Sequence, residues 1–432
     1  MQVLKFGGSS IAAPENIKKA VAIIRKAALK DKTIVVLSAF GGATDLLLEC
    51  GALAAQNDEA YRNKLSALEH RHLEAVLELV PIDRQSSILS QVKRLCNEIE
   101  DICKGVFLLG ELSPRTKDKV VSYGELISSL LISAVLHAEE IPNTWVDARE
   151  LIFTDSHFTY AAVNFDKTNE QVKRYFGSAE ENLFIVPGFI ASDAEGVVTT
   201  LGRGGSDYTA AILAAALEVA SLEIWTDVSG MMTADPRMVS HARQIPHISY
   251  KEAMELSHFG AKVIYPPTIQ PVMNHHIPVW IKNTFEPDHH GTLIEAEVLK
   301  NGSVRGISSV NGISLLSLEG SGMVGVPGFS KRLFEALAGH SVNVILITQG
   351  SSEHSICVGI NEADEKRAIL AVNDAFSYEI NTGKVQPLIT EHDLAIVALV
   401  GDNMKSHPGI SGKMFGAMGR NGINVRAIAQ GS

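Results

Sequence analysis

The chain has 432 residues, of which 46% are hydrophobic and 20% charged, and its formal net charge is −11. That length holds two or three domains, and the composition is that of a folded globular protein and not of a disordered one. The acidic balance provides no basic field for nucleic acid or an anionic membrane, so any anionic ligand needs a few well-placed cations.

The first 40 residues predict a strand, a glycine turn, a helix and a second strand. The letters VLKF lead into GGSS, PENIKKAVAIIRKAALK has helical spacing, and TIVVLSAF is typical of a buried strand. This order is a βαβ unit, which favours an α/β fold with a mostly parallel sheet flanked by helices.

The pattern alternates further along the chain. Residues 59–140 are mostly helical in spacing, and residues 183–201 predict two strands around an SDAEG turn. DYTAAILAAALEVA and SYKEAMELSHFGAKV predict helices, while EIWTDV and PVWIKNT predict strands. The four cysteines (Cys50, Cys96, Cys103 and Cys357) have neither CxxC spacing nor a disulfide framework, which predicts reduced thiols in a cytoplasm.

The last part of the chain contains an internal repeat. Residues 322–351 and 403–432 are identical at 12 of 30 positions when aligned without a gap. The first copy has the strand-helix-strand-strand order of a small ferredoxin-like domain. The second copy predicts a strand (LAIVALVG), a helix and a strand before the chain stops, so we expect a truncated second domain.

Two glycine-rich loops could bind anions. In KFGGSS, Lys5 lies at a strand end, Gly7 and Gly8 form the turn, and Ser9 begins a helix. Neither the GxxxxGK[ST] nor the GxGxxG pattern is present, and a tight turn with a surface lysine explains this motif better when it stands alone.

The second loop is LGRGGSDYTAA. Asp207 occupies the position where GxGxxG requires glycine, which disfavours a dinucleotide site. Ser206 and Asp207 have a simple explanation as helix N-cap residues. Arg203 between glycines is harder to dismiss, because its planar fork suits a carboxylate.

Three more polar stretches complete the candidate site. In WTDVSGMMTADPR a strand ends at Thr226 and Asp227, and ligands of open α/β sheets lie beyond the carboxyl ends of strands. Glu125 in GELISS and Lys262 in FGAKVIYPPT add an acid and a base, which a solvated helix surface would also explain. Together these stretches indicate phosphoryl chemistry on a small acid.

The motifs VLKFGGSS, VVLSAFGGATDLL, GE at 124–125, LGRGGSDYTAA, EIWTDVSGMMTADPR and FGAKVIYPPT resemble, in this order, those of the aspartokinases of the amino acid kinase superfamily. The repeated tail resembles paired ACT domains and is most similar to that of bifunctional aspartokinase/homoserine dehydrogenases. The resemblance implies a catalytic domain over residues 1–300, an ACT-like regulatory domain over 301–392, and part of a second over 393–432.

The implied reaction is ATP-dependent phosphorylation of the L-aspartate β-carboxylate to 4-phospho-L-aspartate, the first step towards threonine, lysine and methionine. The aspartate side chain has a pKa of about 3.9, so the nucleophile is already ionised and needs no general base. The reaction instead requires cations and N–H donors around the phosphoryl group. We expect the phosphates and water to hold Mg²⁺, without a protein ligand cluster.

The resemblance also implies roles for individual residues. It assigns catalysis to Lys5 and Asp207. It assigns aspartate binding to Ser38, Thr44, Glu125 (α-ammonium), Arg203 (α-carboxylate) and Ser206. It assigns ATP binding to Lys5, Gly7, Gly8, Ser9, Thr226, Asp227, Met232, Arg237 and Lys262. Met232 stands where relatives usually carry a tyrosine near the adenine, and its flexible apolar side chain can still pack on a base.

The effector site is expected at Asn343, Gln349, Asn424 and Gln430, although local turns would also explain the asparagines. Similarity to the bifunctional enzymes favours threonine as the feedback amino acid, with lysine as the alternative. ACT domains commonly pair across subunits, which predicts a homo-oligomer.

Other functions fit the residues less well. A kinase acting on N-acetylglutamate or a nucleotide is disfavoured by Glu125, which suits a free α-ammonium, and by the ACT tail. A catalytically impaired amino-acid sensor has Met232 in its favour, but Lys5, Arg203 and Asp207 are intact. A nicotinamide dehydrogenase fits neither glycine loop.

Overall fold

The computed structural model describes residues 1–259, 263–296, 298, 304–350, 354–402, 404 and 407–430. They belong to two units, Met1–Asn301 and Gly302–Ser432. Each unit has its own sheet.

The first unit alternates strands and helices. Its strands are β1 Gln2–Phe6, β2 Thr33–Leu37, β3 Thr144–Trp145, β4 Leu183–Pro187, β5 Ile190–Ser192, β6 Val198–Thr200, β7 Ser221–Thr226, β8 His247–Ser249, β9 Val279–Asn283 and β10 Thr292–Glu295. Its helices are α1 Pro14–Ala28, α2 Ala43–Ala55, α3 Ala60–Leu79, α4 Ile82–Leu109, α5 Pro114–Ala138, α6 Phe165–Ser178, α7 Gly205–Ala216, α8 Tyr250–His258 and α9 Gln270–Asn274.

The main sheet is mostly parallel, which confirms the predicted α/β class. Among the described residues its strand order is β3-β4-β2-β1-β7-β9-β10-β8, and only the β9–β10 pairing is antiparallel. Strands β2 and β4 are buried along their whole length, which is why their sequences are continuous apolar runs. Parallel pairing brings the carboxyl ends of β1, β2, β4 and β7 to one edge, where ligands of such sheets bind.

Residues 183–201 differ from the prediction of two strands. The structure forms β4 in the main sheet and then a separate β5–β6 hairpin. The break falls at Gly188 and Phe189, and Phe189 has a positive φ of 68°. Gly188 lies so close to Ser206 that a Cβ there would be 2.7 Å from the serine Cβ. The chain therefore leaves the sheet where it passes the second glycine loop.

Helix α5 belongs to the core of the first unit. In the part of the chain described, it is the one helix long and apolar enough to cross a membrane, but 83% of its most apolar window is buried inside the fold. It packs against α2, α4 and β4. A helix apolar on nearly every face is typical of the interior of a large domain.

The second unit has a ferredoxin-like sheet. Its strands are β11 Gly306–Glu319, β12 Val344–Gln349, β13 Ser355–Asn361 and β14 Ile389–Val400, and its helices are α10 Phe329–Gly339, α11 Glu365–Ala375, α12 Ser377–Asn381 and α13 Ile410–Arg420. The described strands pair in the order β12-β13-β11-β14, all antiparallel. Strand β14 thus takes the outer place beside β11, and the predicted boundary at residues 392–393 falls within it.

The internal repeat is visible in the two helix starts. Helix α10 follows Gly328 with φ 101°, and α13 follows Gly409 with φ 88°, each glycine preceded by a proline. Both N-caps need a left-handed residue, which explains the repeated Pro-Gly.

The strand predicted over the last residues is wrong for the structure described. Residues 423–430 lie outside any strand. A strand requires a ladder partner, and β14, the strand that opens the second copy, is paired with β11.

Candidate active site

The two residues predicted to be catalytic are in contact. Lys5 lies near the end of β1, Asp207 lies in the first turn of α7, and Lys5 Nζ is 2.6 Å from Asp207 Oδ1. Their side chains are only 10% and 14% exposed. An ion pair screened so little by water holds the lysine in a defined direction at the carboxyl edge of the sheet.

Glu125 is a buried carboxyl close to this pair. It lies in the middle of α5, and burial raises its pKa to about 8, against the opposing effects of a hydrogen bond from the Ala39 amide and the charge of Lys5. Its Oε2 has no hydrogen-bond partner within the described chain. A buried carboxyl oxygen without a donor is suited to receive a cationic group from a ligand.

The first glycine loop joins the ends of three strands. The Gly7 amide donates to the Trp225 carbonyl of β7 at 3.0 Å, and the Gly41 amide of the loop after β2 donates to the Gly8 carbonyl at 3.0 Å. A Cβ on Gly8 would lie 3.0 Å from the Ala39 carbonyl oxygen, and one on Gly7 would lie 3.6 Å from Lys5 Nζ. The glycines therefore leave an open cradle beside the lysine, with Ser9 following in a short 3₁₀ turn.

The loop after β2 carries two of the residues predicted to bind aspartate. The Ser38 amide donates to the Phe6 carbonyl at 3.2 Å, and the Ser38 carbonyl accepts from Ser128 Oγ at 2.7 Å. Thr44 lies in the first turn of α2. Sequence reasoning missed Ser128, although its position three residues after Glu125 places both on one helix face.

The second glycine loop presents Ser206 and Arg203. Ser206 is buried against Gly188. Arg203 is exposed, and its Cζ lies 5.7 Å from the centroid of the Tyr265 ring. Gly204 has φ 71°, and a Cβ there would lie 2.7 Å from Tyr265 Cβ, so this loop requires glycine. In the described chain no carboxylate pairs with Arg203, which leaves its N–H groups available to an anion.

The residues predicted to bind ATP are spread over more of the chain than those predicted to bind aspartate. Thr226 ends β7 next to β1, and its Oγ1 is 3.2 Å from Asp227 Oδ1. Met232 pairs with Gln244 in an isolated bridge.

Two cations complete the predicted nucleotide set. The exposed Arg237 is bound to Asp235, with 2.7 Å between Nη2 and Oδ2. Arg237 is therefore held within its own loop. Lys262 lies outside the described residues.

The predicted effector residues belong to the second unit. Gln349 lines a cavity of about 290 Å³ whose other walls are Met323, Gly325, Val326, Pro327, Gly328, Phe329, Ser330 and Ile356. Asn343 directly precedes β12 and Gln349 is the last residue of that strand, so the two residues lie at opposite ends of β12. Asn424 and Gln430 are exposed and lie outside any strand.

The first unit thus combines a buried cation, two buried or half-buried carboxyls, two glycine loops and an exposed arginine at one sheet edge. Within the described residues, no group of three or more histidine, cysteine, aspartate or glutamate side chains could hold a metal ion. These groups can bind and orient two anionic ligands, one of which also carries an ammonium group.

The sequence matches two family models. The amino acid kinase family model matches residues 1–283, and the ACT domain model matches residues 316–376 and 397–432. The bifunctional aspartokinase/homoserine dehydrogenase 1, chloroplastic, of Arabidopsis thaliana is 34% identical over 436 residues, covering 99% of this chain and 48% of that protein. Lysine-sensitive aspartokinase 3 of Escherichia coli (strain K12) is 33% identical over 435 residues, covering 100% of this chain and 93% of that protein.

Solved structures are similar along the same length. The crystal structure of E. coli aspartokinase III in complex with aspartate and ADP (R-state) matches with a TM-score of 0.85 and 32% identity, over 100% of this chain and 94% of that chain. The complex of the same enzyme with lysine and aspartate (T-state) matches with a TM-score of 0.79. The chain spans about half the length of the bifunctional relatives it matches.

Proposed function

Because this chain belongs to the aspartokinases of the amino acid kinase family, we propose that its first unit transfers the γ-phosphoryl group of ATP to the β-carboxylate of L-aspartate. The product is 4-phospho-L-aspartate, at the start of the pathway to threonine, lysine and methionine. The observation that carries this proposal is the buried Glu125 oxygen without a partner, close to the Lys5–Asp207 ion pair.

Glu125 and Arg203 recognise the two charged groups on the α-carbon of the substrate. A free amino acid brings an α-ammonium, which supplies the missing donor to Glu125, and an α-carboxylate, which matches the guanidinium fork of Arg203. We assign Ser38, Thr44 and Ser206, which follow β2 or begin α2 and α7, to polar contacts with the rest of the substrate. A substrate without the ammonium would leave Glu125 buried and unpaired.

Lys5 and the first glycine loop serve the nucleotide. The cradle at Gly7 and Gly8, which a Cβ would fill, fits phosphate oxygens beside the lysine ammonium. The aspartate β-carboxylate is ionised at neutral pH, so the site must overcome repulsion between two anions. Lys5, held by Asp207, places a fixed positive charge where charge moves from the γ-phosphate to the leaving oxygen.

The remaining nucleotide contacts follow from the family. We assign Ser9, Thr226, Asp227, Met232, Arg237 and Lys262 to ATP. Mg²⁺ enters with the phosphates and neutralises part of their charge when bound. Arg237 would have to exchange Asp235 for a phosphate oxygen or the ribose.

The second unit is proposed to bind a feedback amino acid in the cavity beside Gln349. None of the described residues that line it carries a carboxylate, which the side-chain ammonium of lysine would require. Threonine adds only one polar group, a hydroxyl, to the α-ammonium and α-carboxylate that both amino acids carry, and Ser330 and Gln349 can bond to that hydroxyl. We therefore place threonine ahead of lysine, and we assign Asn343, Asn424 and Gln430 to the same control.

We further propose a cytoplasmic enzyme that forms a homo-oligomer through the second unit. The cysteines Cys50, Cys96, Cys103 and Cys357 are all free thiols, which suits a reducing compartment. Light scattering across a concentration series, with and without threonine, tests the oligomer.

The reaction is tested by aspartate-dependent release of ADP from MgATP, with hydroxylamine present to trap the acyl phosphate as a hydroxamate. We expect ADP and hydroxamate in equal amounts, and neither with N-acetylaspartate, which lacks the ammonium. ADP release without hydroxamate, or equal use of N-acetylaspartate, would reject the proposal. Absence of turnover together with binding of amino acids would favour the sensor.

A further inference from the structure

Arg71 on α3 bridges the two loops that carry the proposed substrates. Its Nη1 donates to the Gly41 carbonyl at 2.7 Å, and its Nη2 donates to the Ala12 carbonyl at 2.6 Å. Gly41 belongs to the loop after β2, and Ala12 directly follows the 3₁₀ turn of the first glycine loop. One rigid guanidinium is therefore attached to both loops from behind the site.

The side chains around Arg71 hold it in place. Its Cζ lies 5.6 Å from the centroid of the Phe40 ring, and His72 stacks on the same ring at 4.4 Å with 17° between the planes. His72 Nδ1 lies 2.7 Å from the Leu68 carbonyl, and burial lowers the His72 pKa to about 4. At neutral pH the imidazole is uncharged, so it supports the Phe40 ring without repelling Arg71.

An ion pair does not explain why a half-buried arginine lies at position 71. In the part of the chain described, its hydrogen bonds go to carbonyl groups and no carboxylate pairs with it. A half-buried cation without a counter-ion is costly, and burial lowers the pKa of Arg71. The planar fork reaches two acceptors at a fixed spacing, which an ammonium or an apolar side chain cannot do.

We propose that Arg71 is a positioning residue that sets the distance between the ATP-phosphate loop and the aspartate loop. This inference rests on the proposed function of the first unit. The loops touch at the Gly41–Gly8 hydrogen bond of 3.0 Å, where a Cβ on Gly8 would lie 3.2 Å from Gly41 Cα. Two glycines allow this close approach, and Arg71 and Phe40 keep it in register.

The proposed role affects the rate more than the binding of either ligand. Glu125 and Arg203 hold the α-ammonium and the α-carboxylate of aspartate, and most residues assigned to ATP lie outside the first glycine loop, so a small separation of the two loops leaves each binary affinity nearly unchanged. The loop after β2, however, carries Ser38 and Thr44 on the aspartate side, and the first glycine loop carries the phosphate cradle, so their spacing affects the distance between the attacking oxygen and the γ-phosphorus. A displacement of about 1 Å between reacting groups costs about 100-fold in rate.

The test compares Arg71→Ala with Arg62→Ala, a variant of an arginine on the same helix whose ion pairs with Glu59 and Glu100 are exposed. We expect kcat of Arg71→Ala to fall about 10- to 100-fold, while calorimetric dissociation constants for MgADP and for aspartate each change less than about 3-fold. Arg71→Lys should recover little, since its single nitrogen lacks the fixed separation between Nη1 and Nη2 that reaches the two carbonyls. Millimolar guanidinium should restore part of the rate of Arg71→Ala and none to Arg62→Ala.

The outcomes separate this inference from the proposed function. If the wild type shows no aspartate-dependent turnover, the function is wrong and the inference falls with it. If the wild type turns over and Arg71→Ala keeps a kcat within about 3-fold of Arg62→Ala, only the inference is overturned. Parallel loss of both affinities in Arg71→Lys, the milder variant, would indicate a structural role and would also overturn it.

Discussion

The two units of this chain differ in the charge of the residues at their proposed ligand sites. In the first unit, Lys5, Asp207 and Glu125 are withdrawn from water at the sheet edge, and burial raises the Glu125 pKa to about 8. In the second unit, the cavity beside Gln349 has uncharged walls. Phosphoryl transfer between anions requires charges that water does not screen, whereas recognition of a neutral amino acid requires shape and hydrogen bonds.

The ion pairs of the second unit agree with this contrast. Arg332 pairs with Glu379, and His392 is 2.8 Å from Glu365, with the arginine 40% and the histidine 56% exposed. In each pair the basic partner is exposed although the glutamate is not (14% for Glu379 and 16% for Glu365), so salt screens these pairs more than the Lys5–Asp207 pair. Substitutions of the buried charges in the first unit should therefore change the chemistry, and substitutions at the cavity of the second unit should change only its control.

The largest effect is expected from removing the buried cation. Lys5→Ala should lower kcat by about 1000-fold, because the charge that stabilises the transferring phosphoryl group is lost. Steady-state ADP release measures this change. Lys18→Ala is the matched control, since Lys18 is exposed and pairs with Glu78 on the surface. Equal rates in the two variants would contradict the claim that the buried cation contributes more to the reaction than an exposed one.

Glu125→Gln should weaken aspartate binding by about 30- to 100-fold, because the buried partner of the α-ammonium loses its charge. In the wild type, the affinity for aspartate should fall about tenfold for each pH unit below pH 8, since the ligand must then displace a proton from Glu125. Calorimetry from pH 6 to 9 measures both effects. The Gln variant should give a nearly flat pH profile, and a retained slope would mean that another group titrates.

The fold of the Glu125→Gln variant provides its own control. The folded-state pKa of Glu125 lies above its ordinary value of 4.5, so its contribution to stability is fully present below that value and is lost as the pH rises through about 8. Between pH 6 and 9 the Tm of the Gln variant should therefore fall less than the Tm of the wild type. A lower Tm of the variant at every pH would attribute its weak binding to damage to the fold.

Arg203→Ala should raise the KM for aspartate about 10- to 30-fold and the KM for ATP less than about 3-fold, because its fork binds the α-carboxylate. Arg237→Ala is the matched variant and should show the reverse selectivity, because Arg237 is assigned to the nucleotide. Initial rates over a grid of both substrates give the four constants. A parallel rise of both KM values in Arg203→Ala would reject the assignment.

The smallest effect is expected in the second unit. Gln349→Ala should weaken threonine binding about 5- to 10-fold, through loss of one side-chain hydrogen bond, and leave kcat unchanged. Gln386→Ala is the control, since Gln386 is exposed and does not line the cavity. Tighter binding of lysine than of threonine by the wild type would reverse our choice of effector.

The parts of the fold that could be predicted from the sequence are those with a local signal. The order β1, α1, β2 follows from apolar runs, a glycine turn and helical spacing within 37 residues. The repeated Pro-Gly predicts two related helix starts, and both N-caps have a positive φ. The resemblance to the aspartokinases, carried by short motifs in order, is confirmed by the family models and by the solved structures.

What the sequence could not predict depends on contacts between distant residues. Glu125 could equally be read as a solvated helix residue, because its burial results from α2, α4 and β4 packing around α5. The contact between Lys5 and Asp207 requires α7 to pack against β1. The strand expected at residues 423–430 does not form, because pairing and not propensity decides whether a strand exists.

The most direct test measures aspartyl hydroxamate formation from MgATP and aspartate in the wild type, Lys5→Ala and Gln349→Ala at saturating substrate. We expect equal rates for the wild type and Gln349→Ala, and a rate about 1000-fold lower for folded Lys5→Ala. Hydroxamate formed by Lys5→Ala at the wild-type rate, or none formed by the wild type, would contradict this expectation.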